Sequence, residues 1–176
     1  SAQNWSGLFL FFLRTEQPEL ANQTIELMDE KATMASVRKA DLMAQFYSLL
    51  EQRDKAEAKL QEALQLDESD VEIHVRLAEL SLESDTATAE KHLRTVLELK
   101  PTHDQARRML ASILATRGGE QEWKEAVTLL DTNTDPSVYD ARLQAMVLAQ
   151  RRGADNLAKA REILERLLTD VEAATP

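Results

Sequence analysis

Apolar residues recur along the chain at the spacing of a single helical face. Within residues 55–70, Ala56, Leu60 and Ala63 stand at i, i+4 and i+7, as expected for one stripe of an amphipathic helix. The same stripe occurs four more times, at Ala21, Ile25 and Met28, at Ala89, Leu93 and Val96, at Ala126 and Leu130, and at Ala160, Leu164 and Leu167. Successive leading alanines are 35, 33, 37 and 34 residues apart, which predicts a structural repeat.

Another amphipathic segment precedes each of the first four stripes. Its packing positions again follow the i, i+3, i+4, i+7 pattern. They are Trp5, Leu8, Phe9 and Phe12; Ala40, Met43, Ala44 and Tyr47; His74, Leu77, Ala78 and Ser81; and Arg107, Leu110, Ala111 and Leu114. We therefore predict two helices in each repeat, A then B, of about 12 to 15 residues each. In the fifth repeat, the pattern at 139–149 does not define the register of helix A.

The residues between these segments predict where helices begin and end. SDVE at 69–72 and THDQ at 102–105 resemble capping boxes that open A helices, with Ser69 and Thr102 as the N-caps. Asp85 is a predicted N-cap of a B helix. Gly118 is predicted to form a turn between helices A and B, and Pro136 to precede an A helix.

Composition narrows the class of protein. Only four Gly and four Pro occur among 176 residues, which favours long helices over a sheet with many tight turns. The formal net charge of −10 opposes binding to nucleic acid or to an anionic membrane surface. The chain contains no cysteine, which excludes disulfides and thiolate sites. We expect a soluble part of a longer or processed protein, in the cytoplasm or the bacterial periplasm.

These positions resemble the tetratricopeptide repeat family. The similarity is carried by Trp5, Leu8, Phe12 and Ala21 in the first repeat, by Met43, Ala44, Tyr47, Ala56, Leu60 and Ala63 in the second, by Leu77, Ala78, Ala89, Leu93 and Pro101 in the third, by Leu110, Ala111, Gly118 and Ala126 in the fourth, and by Ala160, Leu164 and Leu167 in the fifth. The resemblance implies an all-α fold, a right-handed α-solenoid of about five helix-turn-helix repeats forming one superhelical domain over residues 1–176. The repeats would span about 2–36, 37–70, 71–103, 104–137 and 138–173.

The apolar segment NWSGLFLFFLR, residues 4–14, is too short for a membrane span, which needs about 20 apolar residues. We interpret it as helix A of the first repeat, with Trp5, Leu8 and Phe12 in the core. Four further apolar residues exceed what one buried stripe needs, and they are candidate contact residues: Phe9, Leu10, Phe11 and Leu13. They would face either an upstream part of the protein or a surface for self-association or a partner.

No motif for catalysis, for a cofactor or for a metal is recognisable. The sequence contains neither HExxH nor a glycine-rich phosphate loop. His74 occupies a packing position of helix A and is predicted to be core. We therefore predict no catalytic, cofactor-binding or metal-binding residues and no enzymatic activity.

The resemblance implies a binding groove lined by the A helices. Carried over to this sequence, its candidate residues are Arg38, Asp41, Gln45, Glu72, Val75, Glu79, Gln105, Arg108 and Ser112. The groove would suit a neutral or basic segment or a partner helix. Ser6, Leu10, Asp41 and Gln45 occupy the places where a subset of the family holds chaperone C-terminal tails, and Asp41 would repel an acidic tail, so no such binding is predicted.

The sequence therefore predicts a non-catalytic protein-interaction module. Two alternatives remain at this point: a structural spacer or self-association element that uses the N-terminal apolar helix, and an accessory domain of a larger enzyme.

Overall fold

The computed structural model describes residues 1–132, 137–151 and 153–173, with side chains up to residue 169. Within these ranges the regular elements are ten α-helices. They are α1 (Ala2–Arg14), α2 (Pro18–Lys31), α3 (Ser36–Leu49), α4 (Arg53–Leu66), α5 (Val71–Ser81), α6 (Thr86–Leu99), α7 (Asp104–Arg117), α8 (Glu120–Asp131), α9 (Val138–Ala149) and α10 (Ala154–Ala173). The predicted all-α helical repeat is confirmed.

The chain divides into two compact units, an N-terminal unit (Ser1–Ala89) and a C-terminal unit (Glu90–Pro176). In the N-terminal unit, α1 packs on α2 and α3 packs on α4, while α3 also contacts α2 and α5 contacts α4. In the C-terminal unit, α7 packs on α8 and α9 on α10, and α9 also contacts both α7 and α8. The single superhelical domain and its repeat boundaries stay predictions.

The stripes of the B helices form the core. The leading alanines of all five stripes are buried, which lets the two helices of a hairpin approach closely. The larger stripe residues of α2, α4, α6 and α8 are buried as well. In α10 the prediction is wrong for Leu164, which is 45% exposed. Leu167 is half-buried.

In α1 the buried residue is Phe9, and its ring stacks on Phe46 at 4.0 Å between centroids. Placing Phe9 among the outward-facing contact residues was therefore wrong, and so was placing Leu8, which is 40% exposed, in the core. Six consecutive apolar residues at 8–13 offer no polar position to define the buried face. Trp5 and Phe12 are half-buried against the same cluster, as is the predicted contact residue Leu13.

Leu10 and Phe11, the other two predicted contact residues, are exposed. Their helix, α1, is 13 residues long. Among the described residues, no helix is both long enough and apolar enough to cross a membrane.

The helix ends are close to the predicted positions. Asp70 rather than Ser69 caps α5, and it accepts hydrogen bonds from the backbone N–H groups of residues 72 and 73. His103 rather than Thr102 caps α7. Asp85 accepts from the N–H groups of residues 87 and 88 at 3.1 Å, as predicted. Gly118 ends α7 with φ of 76°, a conformation that favours glycine. Pro136 lies outside the described residues.

Candidate functional site

Three A helices of the N-terminal unit, α1, α3 and α5, line a cleft of about 690 Å³. Four of the predicted groove residues lie in it: Arg38, Asp41, Gln45 and Glu72. The other lining residues are Ala2, Gln3, Ser6, Gly7, Leu10, Leu42 and Arg76. Polar and small side chains predominate here, so the cleft offers hydrogen-bonding groups rather than a continuous apolar wall.

An ion-pair network joins α3 to α5 among the residues that line this cleft. Nε of Arg76 lies 2.8 Å from Oδ1 of Asp41, and Nη2 of Arg76 lies 3.2 Å from Glu72. Gln45 donates to Oδ2 of Asp41 at 3.0 Å. The N–H of Arg76 is not aligned with Oδ1, so this contact is a charge pair without a hydrogen bond. The network holds neighbouring A helices together and orients the polar groups that face the cleft.

Burial raises the pKa of Asp41, and the opposing effects of Arg76 and Gln45 do not cancel it. The charged carboxylate is thus held in a partly dehydrated position. Sequence reasoning missed Arg76. The one available signal was its place four residues after Glu72 on a helix, the spacing at which opposite charges pair.

A second cavity, of about 400 Å³, lies between α3, α4 and α5. Its walls are mainly apolar, and its lining residues are Ala44, Gln45, Ser48, Leu49, Leu60, Arg76, Glu79 and Leu80. The predicted groove residue Glu79 lies here and is exposed. Val75 is only 2% exposed, so its prediction as a groove contact is wrong. Val75 follows His74 on the face of α5 that turns into the core.

The predicted residues of the C-terminal unit lie on α7. Gln105 and Arg108 are half-buried, and Ser112 is exposed. Arg108 donates to Oδ1 of Asp140 at 3.1 Å, which links α7 to α9. Arg108 therefore serves an internal ion pair between A helices, and its charge is already balanced.

Asp140 also completes a capping box at the start of α9. Its Oδ2 accepts from the backbone N–H of Ser137 at 2.8 Å and from the Ser137 hydroxyl at 2.6 Å. Burial would raise the pKa of Asp140, but the hydrogen bonds from Ser137 and Arg108 outweigh it and lower the pKa.

The last hairpin carries an apolar groove that sequence reasoning did not identify. This groove between α9 and α10 measures about 450 Å³. Its lining residues are Tyr139, Arg142, Leu143, Ala145, Met146, Ala149, Ala160 and Leu164. The signal was present at 139–149, where apolar residues occur on more faces of the helix than one stripe needs.

The histidine prediction is confirmed, because His74 is buried and its Nε2 lies 3.0 Å from the backbone carbonyl oxygen of Glu68. In the part of the chain that the structure describes, no group of three or more His, Asp or Glu side chains is placed to hold a metal ion.

No protein-family model matches this chain, and no curated protein matches it by sequence. Solved structures do. A tetratricopeptide repeat protein from Parabacteroides merdae is 16% identical, with a TM-score of 0.77 over 97% of this chain and 67% of that protein. MamA from Desulfovibrio magneticus RS-1, from residue 41 to its end, is 17% identical, with a TM-score of 0.72 over 99% and 96% of the two chains. PilF from Pseudomonas aeruginosa is 20% identical, with a TM-score of 0.68 over 95% and 76%. The chain therefore folds into tetratricopeptide-like helical repeats.

Proposed function

We propose that the chain is a non-catalytic protein-binding module whose N-terminal unit holds an extended peptide. The observation that supports it is the pairing of two adjacent cavities on successive A helices. One is polar and lined by α1, α3 and α5, and the other is mainly apolar and reaches down to Leu60. A peptide along the cleft would place backbone groups against Gln45 and one apolar side chain in the smaller cavity.

The charges of the site favour a neutral or basic peptide. Arg76 is shared between Asp41 and Glu72, so these three groups leave one net negative charge at the cleft, and Glu79 lies exposed beside the second cavity. The chain as a whole carries a formal charge of −10, so an acidic segment would meet repulsion at long range. For the same reason we expect no binding of an acidic C-terminal tail of the chaperone kind.

The test begins with peptides selected from a random library on the whole chain. We expect the selected peptides to carry an apolar residue beside a neutral or basic one. Their affinities would then be measured by fluorescence anisotropy for the wild type and for Glu72→Arg combined with Glu79→Arg. Both glutamates are exposed, but Glu72→Arg removes the ion pair with Arg76, so circular dichroism first checks that the double variant folds. We then expect it to bind at least about tenfold more weakly.

A matched control carries Glu62→Arg and Glu98→Arg, which change the formal charge equally at exposed positions of α4 and α6. We expect the control to bind like the wild type at moderate salt. If both double variants bound the peptides equally weakly, the loss of affinity would be an effect of net charge, and the cleft would not be the binding site. Preference for acidic peptides would contradict the proposed ligand chemistry.

A further inference from the structure

We call the contact between the B helix of one repeat and the A helix of the next repeat a joint. Two joints inside the N-terminal unit follow one packing rule, in which the A helix covers the stripe of the B helix before it. Met43 and Phe46 of α3 belong to the same buried cluster as Ile25 and Met28 of α2. Leu77 of α5 belongs to the cluster of Leu60 and Ala63 of α4, and Leu80 packs against that cluster. At each of these stripes the following A helix thus contributes two apolar residues three positions apart, beside Leu42 in the first case and Ile73 in the second.

Helix α10 carries the same stripe, but one of its larger residues is exposed in the structure. Leu164 of α10 corresponds to Leu60, Leu93 and Leu130 in the repeat, which are all buried, yet it is 45% exposed. It lies in the apolar groove with Tyr139 and Met146, both of which are exposed. The groove therefore leaves exposed the kind of surface that is covered by the next A helix at the joints inside the N-terminal unit.

Helix α1 has apolar residues at the covering positions, and in the structure they are exposed. Leu8 and Phe11 of α1 occupy the repeat positions of Met43 and Phe46, which are buried in the cluster that includes Ile25 and Met28 of α2. In α1 these two residues are 40% and 58% exposed. Helix α1 contains no acidic residue and one basic residue, Arg14, so little charge opposes its burial in an apolar groove.

We propose that the α9–α10 groove binds helix α1 of a second copy of this chain, so that copies join through the packing of an internal joint. Leu8 and Phe11 of one copy would cover Leu164 and Met146 of the next. Such a joint is heterologous, because the two copies contribute different surfaces. This self-association is separate from the peptide cleft and does not depend on it.

The first measurement is the mass of the whole chain as a function of concentration, by sedimentation velocity. Two double variants block the two surfaces separately: Leu8→Glu with Phe11→Glu in α1, and Met146→Glu with Leu164→Glu in the groove. All four side chains are at least 40% exposed, so the variants should fold. We expect the wild-type mass to rise with concentration and each blocked variant to associate at least about tenfold more weakly.

Mixing the two blocked variants gives the decisive result. The α1-blocked copy keeps its groove, and the groove-blocked copy keeps its α1, so one intact joint remains possible. We expect an equimolar mixture to form a species of two copies at concentrations where each variant alone is monomeric. A control with Leu66→Glu and Leu99→Glu, both at exposed leucines outside the two surfaces, should behave like the wild type.

Three outcomes would overturn the proposal. The wild type could stay monomeric up to concentrations of about several hundred micromolar, which would exclude a meaningful joint. The groove-blocked variant could associate like the wild type, which would remove the groove. The mixture could stay monomeric although both variants lose association, which would assign self-association to like surfaces instead.

Discussion

In each unit an ion pair links two consecutive A helices, but the order of the acidic and the basic residue along the chain is reversed. In the N-terminal unit the acid, Asp41, is on the earlier helix and pairs with Arg76. In the C-terminal unit the base, Arg108, is on the earlier helix and pairs with Asp140. The pKa of Asp41 is raised, whereas that of Asp140 is lowered. An opposite charge nearby therefore does not decide the protonation of a buried carboxyl group.

Hydrogen bonding contributes to the difference, beside the burial of Asp41 and the nearby carboxylates of Glu72 and Asp70, which raise its pKa. Asp140 accepts hydrogen bonds from the backbone N–H and the hydroxyl of Ser137 and from Arg108. Asp41 accepts one, from Gln45, and Arg76 approaches without aligning its N–H. Each aligned donor stabilises the charged form against the cost of leaving water. Asp140 is consequently part of the structure of α9, while Asp41 is a polarised group at the edge of a cleft.

Helices α4 and α10 differ at corresponding positions of the stripe, where the largest effect is expected. Leu60 is 1% exposed and Leu164 is 45% exposed. Leu60→Ala should reduce the free energy of unfolding by about 2–5 kcal/mol, because it removes a buried side chain and leaves a cavity. Leu164→Ala should reduce it by less than about 1 kcal/mol at concentrations where the chain is monomeric. Urea unfolding followed by circular dichroism measures both, and equal losses would contradict the contrast.

The ion pairs should also differ in their contribution to stability. Asp140→Ala removes the capping box and an aligned partner of Arg108, so we expect a loss of about 1–3 kcal/mol. Asp41→Ala should change stability by less than about 1 kcal/mol, because it relieves a dehydrated carboxylate and leaves Arg76 paired with Glu72. The same urea experiment applies. A larger loss at Asp41 would show that its charge pair is worth more than its geometry indicates.

The turns between helices A and B offer a third contrast. Gly118 adopts φ of 76° after α7, whereas Glu51 adopts φ of 58° at the corresponding position after α3. A side chain with a Cβ is strained in this conformation. Glu51→Gly should raise the stability by about 0.5–1 kcal/mol, and Gly118→Ala should lower it by a similar amount. Thermal melts of both variants test this, and destabilisation by Glu51→Gly would contradict it.

The hairpins were predictable because their packing repeats. A spacing of three and four residues defines a helical face, and the recurring alanines place that face at a helix crossing, so the buried stripes of α2, α4 and α6 follow from the sequence. Burial at the first and last helices did not follow. In α1, six consecutive apolar residues do not define one face, so Leu8 was misplaced. In α10 the pattern shows which face is apolar but not whether another helix covers it, so the exposure of Leu164 was not predictable.

The candidate site was less predictable than the fold. The frame of the repeat located Arg38, Asp41, Gln45 and Glu72 in the cleft, since positions on successive A helices recur. The same frame predicted Val75 as a groove residue, but its side chain points into the core. An error of one residue is enough, because each residue along a helix turns the side chain by about 100°. The frame did not identify Arg76, because an ion pair between two helices depends on the distance between their side chains, which the repeat period of the sequence does not give.

The smallest expected effect concerns pH, and it has opposite signs in the two units. The ordinary pKa of both carboxyl groups is 3.8. The folded pKa of Asp140 is lower, so its contribution to stability is present above pH 3.8 and is lost as the pH falls through the lowered pKa. The folded pKa of Asp41 is higher, so its contribution is present below pH 3.8 and is lost as the pH rises through the raised pKa.

The two alanine variants make this measurable. We expect the stability lost in Asp140→Ala to be largest above pH 3.8 and to shrink in more acidic solution. Relative to the wild type, Asp41→Ala should become more stable as the pH rises above 3.8, because only the wild type must then charge a buried carboxyl group. Urea titrations between about pH 3 and pH 6 compare the variants with the wild type, in which all other groups titrate alike. Parallel pH profiles would mean that the two carboxyl groups have similar environments after all, and that aligned donors do not distinguish Asp140 from Asp41.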